Sequence, residues 1–347
     1  MSFQKLERSH SGSTLINLCL TGTSHEAWEY GTISNVIGDK STGKTLLALE
    51  SCNYASLDNN CDVIFIDVER SVRSEERLKQ IGIDLSVSDI NFITDVSTIE
   101  DFEKFIEKYL KKRKHGDGKK AFIVFDSYDG LTSETEETNK AGYGTERTKM
   151  LSKFFRKFTD DLRDMNIHLQ IISQVRENLN ATMYQPQKIR TGGKSLGHAV
   201  ASEMWITQKS QLKSSDDLTY GIEVNCNVTK SRLAKPNRKV NVHIIYDRGL
   251  DDVRSCVLWL KDVSNDFVKL EGAWWSLLYK KEGAKKESKK FRFDDLVRHI
   301  EQEGLYPNLV DEVEKQWSNR EVNLEEKVSK GRVSKMDLFQ SLKKVEE

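Results

Sequence analysis

Eight residues near the start of the chain have the types and spacing of a loop that binds phosphate groups. Glycines allow a tight turn whose backbone N–H groups point inward at phosphate oxygens. Lys44 would neutralise the β- and γ-phosphates, and Thr45 would offer a hydroxyl to Mg²⁺, which prefers oxygen ligands. The pattern predicts a site for ATP and Mg²⁺ formed by Gly38, Asp39, Lys40, Ser41, Thr42, Gly43, Lys44 and Thr45.

The magnesium shell needs a second protein ligand, and Asp126 is the best-placed candidate. This residue follows the apolar run 121–125 and precedes Ser127. A carboxylate at that point could instead cap the strand or form a turn. The apolar run before it favours the metal role, so we expect Asp126 and Thr45 to hold Mg²⁺ together.

Hydrolysis of ATP also needs a group that orients and deprotonates water. Glu69 comes directly after the apolar run 63–68 and is the first candidate for this base, and Asp67 is the second. Ligands of parallel α/β sheets bind at the carboxyl ends of the strands. We therefore expect the phosphate loop, Glu69, Asp126 and Gln174 to meet in one crevice.

The elements that must position these residues follow from the hydrophobic pattern. Between about residues 30 and 245, β-branched runs alternate with amphipathic stretches, which is typical of a mostly parallel sheet covered by helices. Strands are predicted at 32–37, 63–68, 121–125, 169–172, 222–228 and 240–245, the last two antiparallel at one edge. Helical spacing assigns two apolar sets to the core rather than to a base-stacking platform: Phe102, Phe105, Ile106, Tyr109 and Leu110, and Leu151, Phe154, Phe155, Phe158 and Leu162.

The last part of the chain has a different composition. Lysines dominate residues 280–292, a segment that is either a solvated linker or a strip that contacts phosphates, with the linker favoured. Two amphipathic helices are predicted beyond it, at 293–300 and 309–317. The predicted division is a short N-terminal segment, 1–29, an α/β core, 30–279, and a basic linker with a small helical unit, 280–347.

Composition excludes several classes of protein. Lys+Arg and Asp+Glu are both 54, so only local patches could indicate a nucleic-acid partner. The five cysteines are widely spaced and form no Cys-x-x-Cys pair, so neither a disulfide framework nor a zinc site is predicted. No apolar run is long enough for a membrane span or a signal peptide. We expect a cytoplasmic protein with no membrane partner.

Residues 177–194 lack a clear period and combine basic side chains with an aromatic ring. Taken alone, the segment is a surface loop first and a loop that binds single-stranded DNA second, because such DNA requires cations and stacking surfaces. An earlier segment, 133–149, carries charges of both signs and two glycines, and is a second candidate DNA loop.

Taken together, the motifs resemble those of the RecA family of recombinases, especially the shorter T4-type phage recombinases. The resemblance covers about residues 12–275 in matching order and intervals. Beyond the phosphate loop, it is carried by Phe65-Ile-Asp-Val-Glu69, Phe122-Ile-Val-Phe-Asp126-Ser127, Ser173-Gln174-Val-Arg176, Thr191-Gly192-Gly193, Val228-Thr-Lys230-Ser-Arg232 and Gly272-Ala-Trp-Trp275.

The resemblance implies a RecA-like P-loop NTPase core and a DNA-dependent ATPase that promotes homologous pairing and strand exchange. It implies that Glu69 activates water, that Gln174 senses the γ-phosphate, and that Lys230 and Arg232 reach ATP on a neighbouring subunit of a helical filament. The implied partners are single- and double-stranded DNA, further copies of the chain, and single-stranded-DNA-binding and mediator proteins. The DNA-binding positions would be Arg176, Met183, Tyr184, Lys188, Arg190, Gly192, Gly193 and Lys194.

Other functions remain open at this point. Only about 11 residues precede the matching region, so the N-terminal arm that links subunits in relatives is expected to be missing or reduced. This favours a recombination mediator or paralogue that binds ATP without exchanging strands, whereas the P-loop, Glu69 and Gln174 favour a recombinase. A small-molecule kinase and a ring helicase share parts of the pattern, but the kinase would need an arginine-bearing lid, and no primase-binding helical domain is evident.

Overall fold

The computed structural model describes residues 7–113, 118–132, 145–178, 188–190, 193–279, 289–330 and 333. Within these ranges the chain separates into two compact units, one up to Trp259 and one from Leu260 onward. The predicted division at residues 29 and 279 is based on composition and remains a prediction.

The strands and helices of the first unit alternate as the sequence pattern predicts. Its strands are β1 Arg8–Ser9, β2 Trp28–Glu29, β3 Ile33–Gly38, β4 Cys61–Asp67, β5 Ile90–Ile93, β6 Lys120–Asp126, β7 Ile167–Glu177, β8 Lys188–Arg190, β9 Ser202–Lys213, β10 Thr219–Ser231, β11 Arg238–Ile245 and β12 Gly249–Leu250. Its helices are α1 Thr14–Thr21, α2 Lys44–Ala55, α3 Glu75–Gln80, α4 Ile99–Lys112, a 3₁₀ turn Tyr128–Gly130, α5 Thr145–Asp164 and α6 Gly193–Ala199. The next helix, α7 Asp252–Val263, begins in the first unit and ends in the second.

Ten of the described strands form one mixed sheet in the order β12-β11-β10-β9-β3-β7-β6-β4-β5, with β8 paired to β7. The strands from β9 to β5 in this order are parallel to one another, and β9 to β12 are antiparallel. The predicted α/β class, the mostly parallel sheet and the antiparallel edge are confirmed.

The phenylalanines at helical spacing are core residues. One face of the sheet is covered by α4, α5 and α6, and the ring of Phe102 stacks on Phe125 at 4.1 Å and lies 4.9 Å from Phe154. Phe105 and Tyr109 are partly buried against the same core. The burial confirms the core assignment and excludes these rings from a base-stacking surface.

The N-terminal segment contains a helix that the sequence pattern does not predict. The side chain of Ser13 caps the first turn of α1, and Gly22 ends the helix with a φ of 86°. Residues 14–20 are all buried, so α1 has no polar face and therefore no helical period in its sequence. It packs against β10 and β11.

The second unit contains a three-stranded sheet as well as the predicted helices. The antiparallel strands are β13 Val268–Glu271, β14 Trp274–Leu277 and β15 Lys290–Phe291, and the helices are α8 Phe293–Gln302 and α9 Tyr306–Ser329. Trp275 is buried in this unit, 5.0 Å from the ring of Phe293. Both predicted helices are present, and α9 continues about three turns beyond the predicted end at residue 317.

Candidate active site

The loop between β3 and α2 has glycines where side chains would not fit. A Cβ on Gly38 would lie 2.7 Å from the backbone oxygen of Ile206, and a Cβ on Gly43 would clash with Cδ1 of Ile244. Gly43 also has a φ of 88°, which favours glycine. Helix α2 begins directly after it, at Lys44, so the unpaired N–H groups of the first turn face the loop. The loop therefore has the geometry of a phosphate cradle.

A cleft of about 600 Å³ lies beside this loop. Residues 40–45 line it, together with Glu69, Asp126 and Gln174, whereas Gly38 and Asp39 form the entry to the loop. Strands β4, β6 and β7 are parallel neighbours, so their carboxyl ends share one edge of the sheet. The predicted meeting of these groups in one crevice is confirmed.

Lys44 is the cation at the centre of the cradle. Its Nζ donates a hydrogen bond to the backbone oxygen of Asp39 at 2.6 Å. Burial lowers the pKa of its ammonium group, and the carboxylates of Asp126 and Glu69 oppose that shift. A largely buried ammonium surrounded by backbone N–H groups is suited to an anionic ligand.

The donor set beside Lys44 fits Mg²⁺. The hydroxyl of Thr45 donates to Oδ2 of Asp126 at 2.5 Å. Asp126 is only 2% exposed, and burial, with the nearby carboxylates of Glu69 and Asp67, raises its pKa to about 7. The described part of the chain contains no cluster of three metal-ligating side chains. The hydroxyl of Thr45 and the carboxylate of Asp126 would hold Mg²⁺ together with water and phosphate oxygens.

Glu69 is held by hydrogen bonds from two side chains, one of which, Gln174, lines the same cleft. Its Oε1 accepts hydrogen bonds from Nε2 of Gln174, at 3.0 Å, and from the hydroxyl of Ser127. The carboxylate of Asp67 instead accepts the backbone N–H groups of residues 71–72, each at 2.9 Å. Asp67 thus holds the loop after β4, and the geometry favours Glu69 as the base.

The other end of the cleft is lined by residues that the sequence pattern did not identify. Arg77 extends along it and donates to the backbone oxygen of Tyr246, at 2.9 Å, and to the carboxylate of Asp247, at 2.8 Å. Ile222 and Ile244 are paired across β10 and β11 and lie on the same wall. Apolar side chains beside a ring and a guanidinium suit a planar base. The sequence pattern predicts the two strands that carry Ile222 and Ile244. It does not show that these strands pair with each other beside the cleft.

Strand β7 extends from the cleft into the predicted DNA loop. Gln174 pairs with Gly38 of β3, and residues 175–177 then pair with β8 on the far side of the loop. Met183, Tyr184 and Gly192 lie outside the described residues, and Gly193 and Lys194 fall in α6. Gln174 and the root of the predicted DNA loop are therefore parts of one strand.

Three cations at or beside this loop, Arg176, Lys188 and Arg190, each lie close to a carboxylate. The pairs are Arg176 with Asp129 at 3.5 Å, Lys188 with Asp39 at 2.7 Å, and Arg190 with Glu203 at 3.2 Å. Arg190 and Glu203 are only 16% and 14% exposed, and a guanidinium nitrogen of Arg190 occupies the place that a Cβ on Gly197 would take. This placement gives Arg190 a packing role, and its contact with DNA stays a prediction.

Lys230 and Arg232 lie at the C-terminal end of α6. Nζ of Lys230 donates to the backbone oxygens of Gly197, at 2.8 Å, and Val200, at 2.6 Å, and Arg232 donates to that of His198 at 3.4 Å. Neither cation lines the cleft of its own chain. Burial lowers the pKa of Lys230, and Arg232 adds to this shift.

The sequence is similar to known proteins over most of its length. The family model described as RecA N-terminal domain matches residues 2–251. Protein RecA of Fusobacterium nucleatum subsp. nucleatum is 27% identical over 308 residues, which cover 88% of this chain and 73% of that protein. Protein RecA of Acholeplasma laidlawii is 26% identical over 312 residues, which cover 89% and 86% of the two chains.

A third relative, Protein RecA of Rippkaea orientalis, is 24% identical over 315 residues, 90% of this chain and 82% of its own. Among the helices that the structure describes, none has the length and apolar character needed to cross a bilayer. The family match spans the phosphate loop, the sheet and the residues at its strand ends, and it covers more than half of the sequence. The chain belongs to the RecA family.

Proposed function

We propose that the protein is an ATP-dependent DNA recombinase that binds single-stranded DNA and promotes homologous pairing and strand exchange with double-stranded DNA. The observation that carries this proposal is the course of β7. Gln174 contacts Glu69 at the ATP cleft, and residues 175–177 of the same strand pair with β8 at the end of the predicted DNA loop. A strand that contacts both sites can link ATP binding to DNA binding.

The cleft residues have distinct roles in this proposal. Lys44 and the loop amides bind the phosphates, and Thr45 and Asp126 hold the ion. Mg²⁺ in this place would neutralise charge on the β- and γ-phosphates. Glu69, fixed by Gln174 and Ser127, orients and deprotonates the attacking water. Bound γ-phosphate would attract the Gln174 amide, and this would move the strand that leads to the DNA loop.

Several further parts of the proposal concern assembly. Lys230 and Arg232, which do not line the cleft of their own chain, would complete the site of a neighbouring subunit in a filament. Single-stranded-DNA-binding and mediator proteins would act on that filament in the cytoplasm. Similarity to the T4-type phage recombinases in particular is also part of this proposal.

Two assays on one preparation test the function. The ATP hydrolysis rate is measured with and without single-stranded DNA, and homologous pairing is measured with a labelled oligonucleotide and a matching duplex. Lys44→Ala serves as the inactive control. Stimulated hydrolysis with ATP-dependent pairing supports the recombinase. Stimulated hydrolysis without pairing supports the mediator, and hydrolysis indifferent to DNA overturns both.

A further inference from the structure

The turn between Asp126 and the second candidate DNA loop, 133–149, contains a buried carboxylate that the sequence motifs do not include. Asp129 lies in the 3₁₀ turn Tyr128–Gly130, directly after Asp126 and Ser127. Its side chain is only 4% exposed. Gly130 packs the turn against the end of β4, since a Cβ on Gly130 would lie 3.0 Å from Val68 and 3.6 Å from Glu69.

The carboxylate of Asp129 reaches across to β7, 45 residues further along the chain. Its Oδ2 accepts the backbone N–H of Gln174 at 2.6 Å. The pairing of β6 with β7 ends at Phe125 and Ile171. Beyond that point, the Gln174 N–H of β7 is bonded to the Asp129 side chain instead of to the backbone of β6. A charged acceptor makes such a bond stronger than a neutral one.

The second oxygen of the same carboxylate lies near a cation at the root of the predicted DNA loop. Oδ1 of Asp129 lies 3.5 Å from a guanidinium nitrogen of Arg176, whose side chain is 57% exposed. Phosphate groups of DNA would compete for that guanidinium, whereas the bond to the Gln174 backbone is partly buried. One side chain thus contacts the sensor of the cleft and a cation at the root of the predicted DNA loop.

We propose that Asp129 is a positioning residue that fixes the backbone of Gln174 relative to Glu69 and restrains Arg176 until DNA binds. The inference rests on the proposed function, because it concerns how the ATP cleft and the DNA loop are coupled. Its two contacts have separable effects. The bond to Gln174 sets the geometry of hydrolysis, and the pairing with Arg176 lowers affinity for DNA when no nucleotide is bound.

Two substitutions separate these contacts. Asp129→Asn keeps an oxygen that can accept the Gln174 N–H but removes the charge that faces Arg176. We expect it to bind single-stranded DNA about two- to fivefold more tightly without nucleotide, as for loss of an exposed ion pair, and to hydrolyse ATP at near the wild-type rate. Asp129→Ala removes both contacts, and its DNA-stimulated kcat should fall by about 10- to 100-fold, the effect of displacing reacting groups by about 1 Å.

The matched control is Asp251, a carboxylate with similar contacts that does not line the cleft. It is buried, accepts the backbone N–H of Arg254 at 2.9 Å, and contacts the guanidinium of the same residue at 3.1 Å. Asp251→Asn and Asp251→Ala should change the thermal midpoint but leave the ratio of DNA-stimulated to basal hydrolysis unchanged. Affinity for a fluorescent ATP analogue should remain the same in all four variants.

The measurements are kcat and KM for ATP with and without single-stranded DNA, and the DNA affinity of the nucleotide-free protein. If Asp129→Ala keeps the wild-type stimulation, or if Asp129→Asn loses as much kcat as Asp129→Ala, the positioning role is wrong. Loss of stimulation to the same extent in the Asp251 variants would also refute that role. Wild-type protein that DNA does not stimulate would refute the proposed function itself, which is a distinct result.

Discussion

The ammonium of Lys188 lies 2.7 Å from Oδ2 of Asp39. This salt bridge joins strand β8, at the end of the predicted DNA loop, to the phosphate loop. The backbone oxygen of Asp39 also accepts the hydrogen bond from Lys44. Lys188 and Asp39 are 57% and 48% exposed, so salt screens their attraction. Phosphates in the cleft would repel the Asp39 carboxylate, and phosphates of DNA would compete for Lys188.

Removing the carboxylate should therefore release Lys188 for DNA. We expect Asp39→Asn to tighten nucleotide-free binding of single-stranded DNA by about two- to fivefold at low salt and to have little effect at high salt. Lys188→Ala should do the reverse, and should flatten the log-log dependence of affinity on salt by about 0.7. Fluorescence anisotropy of a labelled oligonucleotide across a salt series measures both effects.

Asp217 offers the control for this pair, since it is another exposed carboxylate that contacts a lysine, Lys213, at 2.7 Å. Asp217→Asn should leave DNA affinity unchanged at every salt concentration. Equal affinities for Asp39→Asn and wild type at low salt would show that the pair does not compete with DNA.

The two carboxylates near the end of β4 should give different kinetic phenotypes. Glu69→Gln keeps the shape of the side chain and removes the base, so ATP hydrolysis should slow by about 10² to 10⁴ while nucleotide binding persists. Asp67→Asn disturbs the backbone N–H groups at residues 71–72, so it should lower the thermal midpoint and cost less than about tenfold in rate. Steady-state hydrolysis and titration with a fluorescent ATP analogue distinguish these outcomes, and the reverse pattern would assign the base to Asp67.

The central part of this site could be predicted because each residue follows an apolar run. Glu69 follows β4, Asp126 is the last residue of β6, and Gln174 lies in the last part of β7. The carboxyl ends of parallel strands meet at one edge of a sheet, whatever the details of side-chain packing. The phosphate loop is equally local, since glycine conformations and the start of α2 depend on a few consecutive residues. Features that depend on a few consecutive residues can be recognised in the sequence without knowledge of the tertiary structure.

The rest depends on pairings between distant residues. Lys188 and Asp39 are 149 positions apart, and Arg77 contacts Asp247 across 170 positions. Residues 73–77 are strongly charged, and nothing in their composition alone indicates the wall of a nucleobase pocket. Helix α1 was missed for the opposite reason, because burial on all sides leaves no periodic pattern.

Arg77 provides a test of the part of the cleft that would hold the nucleobase of ATP. Its guanidinium lies on the cleft wall and donates a hydrogen bond to the backbone of Tyr246. Its expected role differs from that of Lys44, which would contact phosphates. Arg77→Ala should raise KM for ATP by about three- to tenfold and leave kcat nearly unchanged, because a base contact is equal in the ground state and transition state. Lys79→Ala, on the same helix but paired with Asp84, is the control. A loss confined to kcat would place Arg77 at the chemistry instead.

Glu50 on α2 should make stability depend on pH. Burial, together with the charge of Asp252, raises its pKa to about 7, although the backbone N–H of Leu250 donates to it at 3.3 Å. The folded state therefore binds a proton that the unfolded state has lost between about pH 4.5 and 7, so this residue lowers stability as pH rises through that window.

The corresponding variant is Glu50→Gln. It should be more stable than wild type at pH 8, by up to about 3 kcal/mol, and should show no advantage at pH 5. Thermal midpoints at the two pH values measure the difference. Glu107→Gln, at a partly exposed carboxylate paired with Lys157, should show no such gain. An equal gain of Glu50→Gln at both pH values would mean that charge is not its cause.

The last prediction concerns whether ATP is hydrolysed between two subunits. Lys230 and Arg232 are held by the backbone oxygens at the end of α6, where a helix terminus favours cations. Lys230 is partly desolvated beside a second positive charge, so an anion from outside the chain would stabilise both. A γ-phosphate on a neighbouring subunit is such an anion, and a cation supplied in trans contributes about 10³ to 10⁵ in turnover.

The double variant Lys230→Ala with Arg232→Ala should still bind nucleotide, because Lys44, Thr45 and Asp126 are unchanged, but should lose the DNA-stimulated rate. Lys209→Ala with Lys213→Ala removes two cations from β9 and should keep that rate. Mixing the Lys230 and Arg232 variant with Lys44→Ala protein should restore part of the activity, since each supplies the half-site that the other lacks. Hydrolysis should also rise more steeply than linearly with protein concentration below the assembly threshold. If the mixture stays inactive while the two proteins assemble together on DNA, the site is not shared, and the mediator becomes the better description of this chain.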